Sequence, residues 1–132
     1  MSKQPSLYRR LVRPFAVNDV DTSDTEWYPE LEPRRYEAAV EEVFEAARAV
    51  VEGHERWRLE EERPEEGRIE VEIETALMNF IDDLTIRVEP VDGEVEVHAH
   101  SRSRVGEGDF GQNARTIREL FNRLDGRLRS DS

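Results

Sequence analysis

Residues 84–101, LTIRVEPVDGEVEVHAHS, decide how this chain folds. Two runs in which apolar and polar residues alternate flank Asp92-Gly93, the favoured pair for a two-residue hairpin turn. Closing that turn sets Val91 against Glu94 and fixes every other pair. Val88 then meets Val97, Ile86 meets Ala99 and Leu84 meets Ser101 on the face turned to the core. The same register puts Asp82 opposite Ser103 on that face. On the outer face Arg87 meets His98, Thr85 meets His100 and Asp83 meets Arg102. Pro90 is tolerable so near the turn only if its missing donor faces outward or lies at an edge.

Working outward, RIEVEIETAL alternates Ile69, Val71 and Ile73 with Glu70, Glu72 and Glu74, a half-buried antiparallel strand. Before it, WRLEEER alternates Trp57 and Leu59 with charge and ends in a PEEG turn. A first helix is expected from Pro33 or Arg34 to Val51. Val40, Val43, Phe44, Ala47, Val50 and Val51 make its apolar stripe, Gly53 its stop, and His54 is expected to cap its last carbonyls. A second helix is expected from an N-cap at Asp109 to Asp125, with Gly126 as its stop. Ala114, Ile117, Leu120, Phe121 and Leu124 form its stripe. The expected fold is α+β, a two-layer sandwich in which a four-stranded antiparallel meander carries two helices on one face, in the order α-β-β-β-β-α. Residues 1–14 are expected to form a basic arm, 15–128 a single domain and 129–132 a disordered tail. In the turn-rich residues 18–33, Trp27, Tyr28 and Leu31 are expected to pin the loop to the core.

Composition narrows the setting. Net charge is −12, from 22 Glu and 9 Asp against 18 Arg and one Lys, Lys3. That exceeds the roughly 2–8 units that keep a small domain soluble. In molar salt the Debye length falls to about 3 Å and clustered carboxylates cease to repel, so the balance points to a halophilic, acidic protein; a merely acidic protein from a high-GC genome, which favours Arg codons, is the alternative. It argues against nucleic acid as a partner, because phosphate binding needs exposed cations and weakens steeply with salt. Without cysteine there is neither disulfide nor thiolate chemistry. No run approaches 18 apolar residues, and the N-terminal residues lack a signal peptide's apolar core, so no membrane segment and a cytoplasmic location are expected.

Chemistry gathers in residues 101–118, SRSRVGEGDFGQNARTIR. Asp82, Ser101 and Ser103 share the core side at the end of the sheet that leads into the second helix. A carboxylate there is expensive unless hydrogen-bonded, so Asp82 is expected to anchor a polar clasp; acid or base chemistry by Asp82 is the alternative. Asp83 points to the opposite face, which excludes a catalytic dyad. Arg104, beside the free amides of a helix N-terminus, is the best holder of an anion, although Asp109 competes for those amides as the cap. Asn113 can bond back to the loop. Gly106, Gly108 and Gly111 do not make a phosphate loop, which requires GxxxxGK[ST]. His98 and His100 share one strand face, but Arg87 and Arg102 oppose a cation there, and no metal or other cofactor is expected. No HExxH, GxSxG or cysteine nucleophile supports an enzyme.

FIDDLTIRV followed by HSRSRVGEGDFGQNARTIREL resembles the domain-of-unknown-function family numbered 1499. Phe80, Asp82, Asp83 and Arg87 match its F-x-D-D-h-x-h-R pattern. Ser101, Ser103, Arg104, Gly106, Asp109, Gly111, Asn113, Ile117 and Arg118 match the second pattern, while His100 stands where the family usually has Arg. The resemblance implies that Asp82, Arg104, Asp109 and Asn113 act as one unit, and it implies no established activity. The expectation is a non-enzymatic binding or accessory domain that takes a small polar or anionic ligand. A protein-interaction subunit using the basic arm or outer sheet face is the alternative.

Overall fold

The computed structural model describes residues 19–21, 32–75, 81–103 and 110–129. In chain order these form β1 (Asp19–Asp21), β2 (Arg34–Tyr36), α1 (Val40–Glu52), β3 (Trp57–Arg63), β4 (Arg68–Glu74), β5 (Ile81–Val91), β6 (Glu94–Ser103) and α2 (Phe110–Leu128), with a short 3-10 turn at Pro64–Glu66. The basic arm, Trp27, Tyr28, Leu31, Phe80, Arg104, Asp109 and residues 130–132 lie outside the described residues.

The hairpin forms in the expected register, from Val91 opposite Glu94 to Asp82 opposite Ser103. Asp92 and Gly93 both take positive φ, 52° and 83°, as the type I′ turn demands. Val88 donates its N–H to Gly67 O at 2.7 Å. Pro90, two residues on, therefore aims its nitrogen to the same side, beyond the first residue of β4, and the ladder loses no donor. Gly67 is required where it stands: its φ is 65°, and a Cβ there would lie 2.1 Å from Val88 O.

The sheet holds six strands rather than four. β3, β4, β5 and β6 form the expected meander, and β1 and β2 both pair antiparallel with the far edge of β6. Arg34 opposes Val97 and Tyr36 opposes Val95, so the segment expected to begin the first helix is a strand. The element order becomes β-β-α-β-β-β-β-α. The cause is tertiary: the edge of β6 supplies hydrogen-bond partners that outcompete the good helix propensity of this segment. The helix starts only at Val40, after Ala39 in extended conformation.

α1 and α2 pack on each other and on the same face of the sheet. Ile69, Val71, Leu84, Ile86, Val97, Val43, Ile117, Leu120, Phe121 and Leu124 are all fully buried between the layers, each contributing roughly 1.5–3 kcal/mol. A bulge at Glu60 shifts the β3 register by one residue. It turns Glu62 toward the helices, where Arg48 Nε lies 3.3 Å from its carboxylate. α2 does not stop at Gly126 but runs to Leu128. Leu128 packs against the core, which offsets the roughly 1 kcal/mol that glycine costs inside a helix. No helix of the described residues is long and apolar enough to cross a membrane.

Candidate functional site

At the end of β6 the pleat turns Ser101 and Ser103 inward, and α2 lays its first turns over them. Ser101 Oγ donates to Asn113 Oδ1 at 2.5 Å, and Asn113 Nδ2 donates to Ser103 Oγ at 3.2 Å. Asn113 thus ties strand to helix from a position with no solvent exposure. Asp82 joins them, directly opposite Ser103 and 1% exposed, with Ser101 at 0% and Ser103 at 7%. Asp82 makes interactions of its own within the fold. Four polar side chains are therefore sealed in one layer, and the hydrogen bonds centre on Asn113. Asp83 turns to the outer face, opposite Arg102 and Glu72.

Ser103 and Asn113 stand on either side of residues 104–109, so their hydrogen bond closes the ends of that connection. Arg104 and Asp109 themselves are outside the described residues. The same end of the sheet carries an open cleft of about 270 Å³ beside Trp57, lined by Glu55, Arg56, Arg58, Glu72 and Glu74. Its mixed charges present no single sign to a ligand.

With the clasp in place, the family can be assigned. A family profile described as "Protein of unknown function (DUF1499)" matches residues 9–124. The chain belongs to this family. No curated protein and no solved structure matched it. Of the motif that carries the family resemblance, Asp82, Ser101, Ser103 and Asn113 are buried, and hydrogen bonds join the last three.

Three further clusters escaped the sequence reading. The first is a staple on the C-terminal end of α2. Tyr36 donates to Asp125 Oδ1 at 2.7 Å, and Arg34 pairs with Asp125 Oδ2 at 2.5 Å. Arg34 lies over the Phe121 ring and Arg129 over the Tyr36 ring, while Arg129 also donates to Arg35 O. Burial and the bond to Asp125 push the Tyr36 hydroxyl well above the usual phenol range. No sequence signal joins residues so far apart.

The second centres on His54, whose backbone N–H caps α1 at Val51 O, 3.3 Å away, while its ring engages other partners. Nδ1 accepts from Arg56 N–H, so Nε2 carries the proton and donates to Glu119 Oε2 at 2.9 Å. The ring stacks on Trp57 at 4.5 Å. The third lies on the outer sheet face, where Glu89, Glu96 and His98 bring ligand atoms within 4.8 Å of one another. The hairpin register already implied that Glu89 opposes Glu96, and Glu96 stands two residues before His98; the two facts had only to be combined.

Proposed function

We propose that this protein is a non-enzymatic binding or accessory domain, acting in the salt-rich cytoplasm that its composition suits. Its ligand is a small polar or anionic molecule held by residues 104–109, with Arg104 as the cation and the N-terminal amides of α2 beside it. One observation carries this reading: the Ser101–Asn113–Ser103 network, sealed from water, closes both ends of that segment. Burying polar groups is costly, and an ordinary strand-to-helix connection has no need of them; fixing the shape of a recognition loop is a use that offsets the cost. Asp82, at 1% exposure, lacks the solvent access that proton exchange with a substrate requires, which favours binding over acid–base chemistry.

A thermal-shift screen in molar KCl against phosphates, nucleotides, carboxylates and sugars tests the proposal. A ligand at 100 times its dissociation constant adds about 2.7 kcal/mol. A stabilising compound whose effect disappears in a folded Arg104→Ala variant supports the site. Stabilisation that survives Arg104→Ala places the ligand elsewhere and refutes it. A second reading, a protein-interaction subunit, is supported by the charged outer face of the sheet, which no described element covers. Deleting residues 1–14 and measuring partner capture against melting temperature tests the contribution of the arm.

A further inference from the structure

The outer face of the β5–β6 hairpin holds a like-charge contact that the fold leaves in place. Glu89 and Glu96 are direct cross-strand partners, a pairing that costs stability unless a cation sits between them. Arg87 is two residues from Glu89 on the same face, yet it forms no ion pair among the described residues. Instead both carboxylates turn to His98. Its Nε2 lies 2.7 Å from Glu96 Oε1 and 3.2 Å from Glu89 Oε2. Three potential ligand atoms from two strands therefore converge on one point.

We propose that Glu89, Glu96 and His98 form a binding site for a divalent transition-metal ion of the zinc class. One imidazole nitrogen and two carboxylate oxygens suit zinc, cobalt or nickel better than magnesium or calcium, which prefer oxygen alone. Zinc bonds of about 2.0–2.2 Å to such ligands set neighbouring donors about 3.4 Å apart in a tetrahedron. Rotation of the glutamates brings the three donors, now all within 4.8 Å of one another, to that spacing. The ion binds Nε2 of the neutral imidazole, whose single proton moves to Nδ1, and the two carboxylates balance its charge. A fourth position stays open to water, since Glu89 is 45% exposed.

Arg35 completes the arrangement from the neighbouring strand. Its Nε lies 3.2 Å from Glu96 Oε2, and its Nη1 lies 3.6 Å from Glu94. It holds the outer oxygen of Glu96 and leaves Oε1 aimed at the ion, the part that hydrogen-bonding partners of metal ligands usually play. Arg87, directly across from His98, is the opposing charge; it is exposed and its long side chain is free to swing into solvent. The site lies on the sheet face away from the clasp and does not depend on the function proposed above.

The test titrates the untagged full chain with zinc by calorimetry and with cobalt by visible absorption, in molar KCl to screen the acidic surface. The expected result is one saturable equivalent per chain, with a cobalt spectrum of low coordination number. Glu89→Gln and His98→Ala are each expected to weaken it by at least about tenfold, while His100→Ala leaves it unchanged. The absence of saturable binding overturns the proposal. So does binding that survives both substitutions, which would place the ion elsewhere on the carboxylate-rich surface. Glu89→Gln preserves shape, so the result does not hang on the fold of His98→Ala.

Discussion

Replacing Asn113 with alanine is the sharpest probe of the buried clasp. The substitution removes two side-chain hydrogen bonds at a position with no solvent exposure. Ser101 Oγ makes its one side-chain hydrogen bond among the described residues to Asn113. It is left buried and unsatisfied, at about 1–3 kcal/mol. Ser103 keeps a further interaction, so its loss is smaller. Together they give a destabilisation of roughly 2–4 kcal/mol, a large share of the 5–15 kcal/mol that holds a typical domain. Urea unfolding in molar KCl, followed by tryptophan fluorescence, should show the midpoint falling by on the order of 1–2 M at constant m-value. A double-mutant cycle with Ser101→Ala should give a coupling of roughly 1–3 kcal/mol. Asn113→Leu combined with Ser101→Ala removes both partners and should recover part of the loss, because no polar group is then stranded. An Asn113→Ala protein within about 0.5 kcal/mol of wild type, with no coupling to Ser101, would refute the clasp.

Other consequences follow from single residues. Gly67→Ala places a Cβ 2.1 Å from Val88 O at a φ of 65°, so it should cost more than about 2 kcal/mol by the same unfolding assay, and a neutral result would contradict the turn geometry. Tyr36 stays a neutral phenol in the fold while the unfolded chain ionises near its ordinary pKa of 10.0. Above that pH the folded state holds the extra proton, so stability falls as pH rises further, and below it the contribution is constant. Tyr36→Phe should be less stable than wild type at neutral pH by roughly 1–2 kcal/mol, from the lost Asp125 bond. The gap should narrow above pH 10; a gap constant with pH refutes the linkage. Thermal melting should rise markedly from low to molar KCl if mutual repulsion within the net charge of −12 is what salt relieves. A flat response removes the halophilic assignment.

Local chemistry carried much of this structure. Asp92-Gly93 and the alternation on either side of it specified the hairpin, its register and its faces, because a two-residue turn admits one pairing and a pleat alternates strictly. That register was enough to bring Asp82, Ser101 and Ser103 to the core side, and a helix starting soon afterwards brought Asn113 over them. The apolar stripes of α1 and α2 were legible for the same reason: a period of 3.6 residues needs no knowledge of the partner.

Tertiary structure alone decided the remainder. Arg34-Arg35-Tyr36 has the composition of a helix start. It is a strand because the edge of β6 offers it hydrogen bonds, and because Asp125, 89 residues beyond Tyr36, receives the tyrosine hydroxyl. Gly126 looks like a helix stop, yet packing of Leu128 carries the helix past it. Likewise the convergence of Glu89 and Glu96 on His98 depends on side-chain rotation as well as register. In the first two cases the deciding energy comes from a contact between residues distant in sequence, whereas the register of a single hairpin already sets Glu89 opposite Glu96. Short-range propensity, worth a few tenths to about 1 kcal/mol per residue, yields wherever such a contact forms.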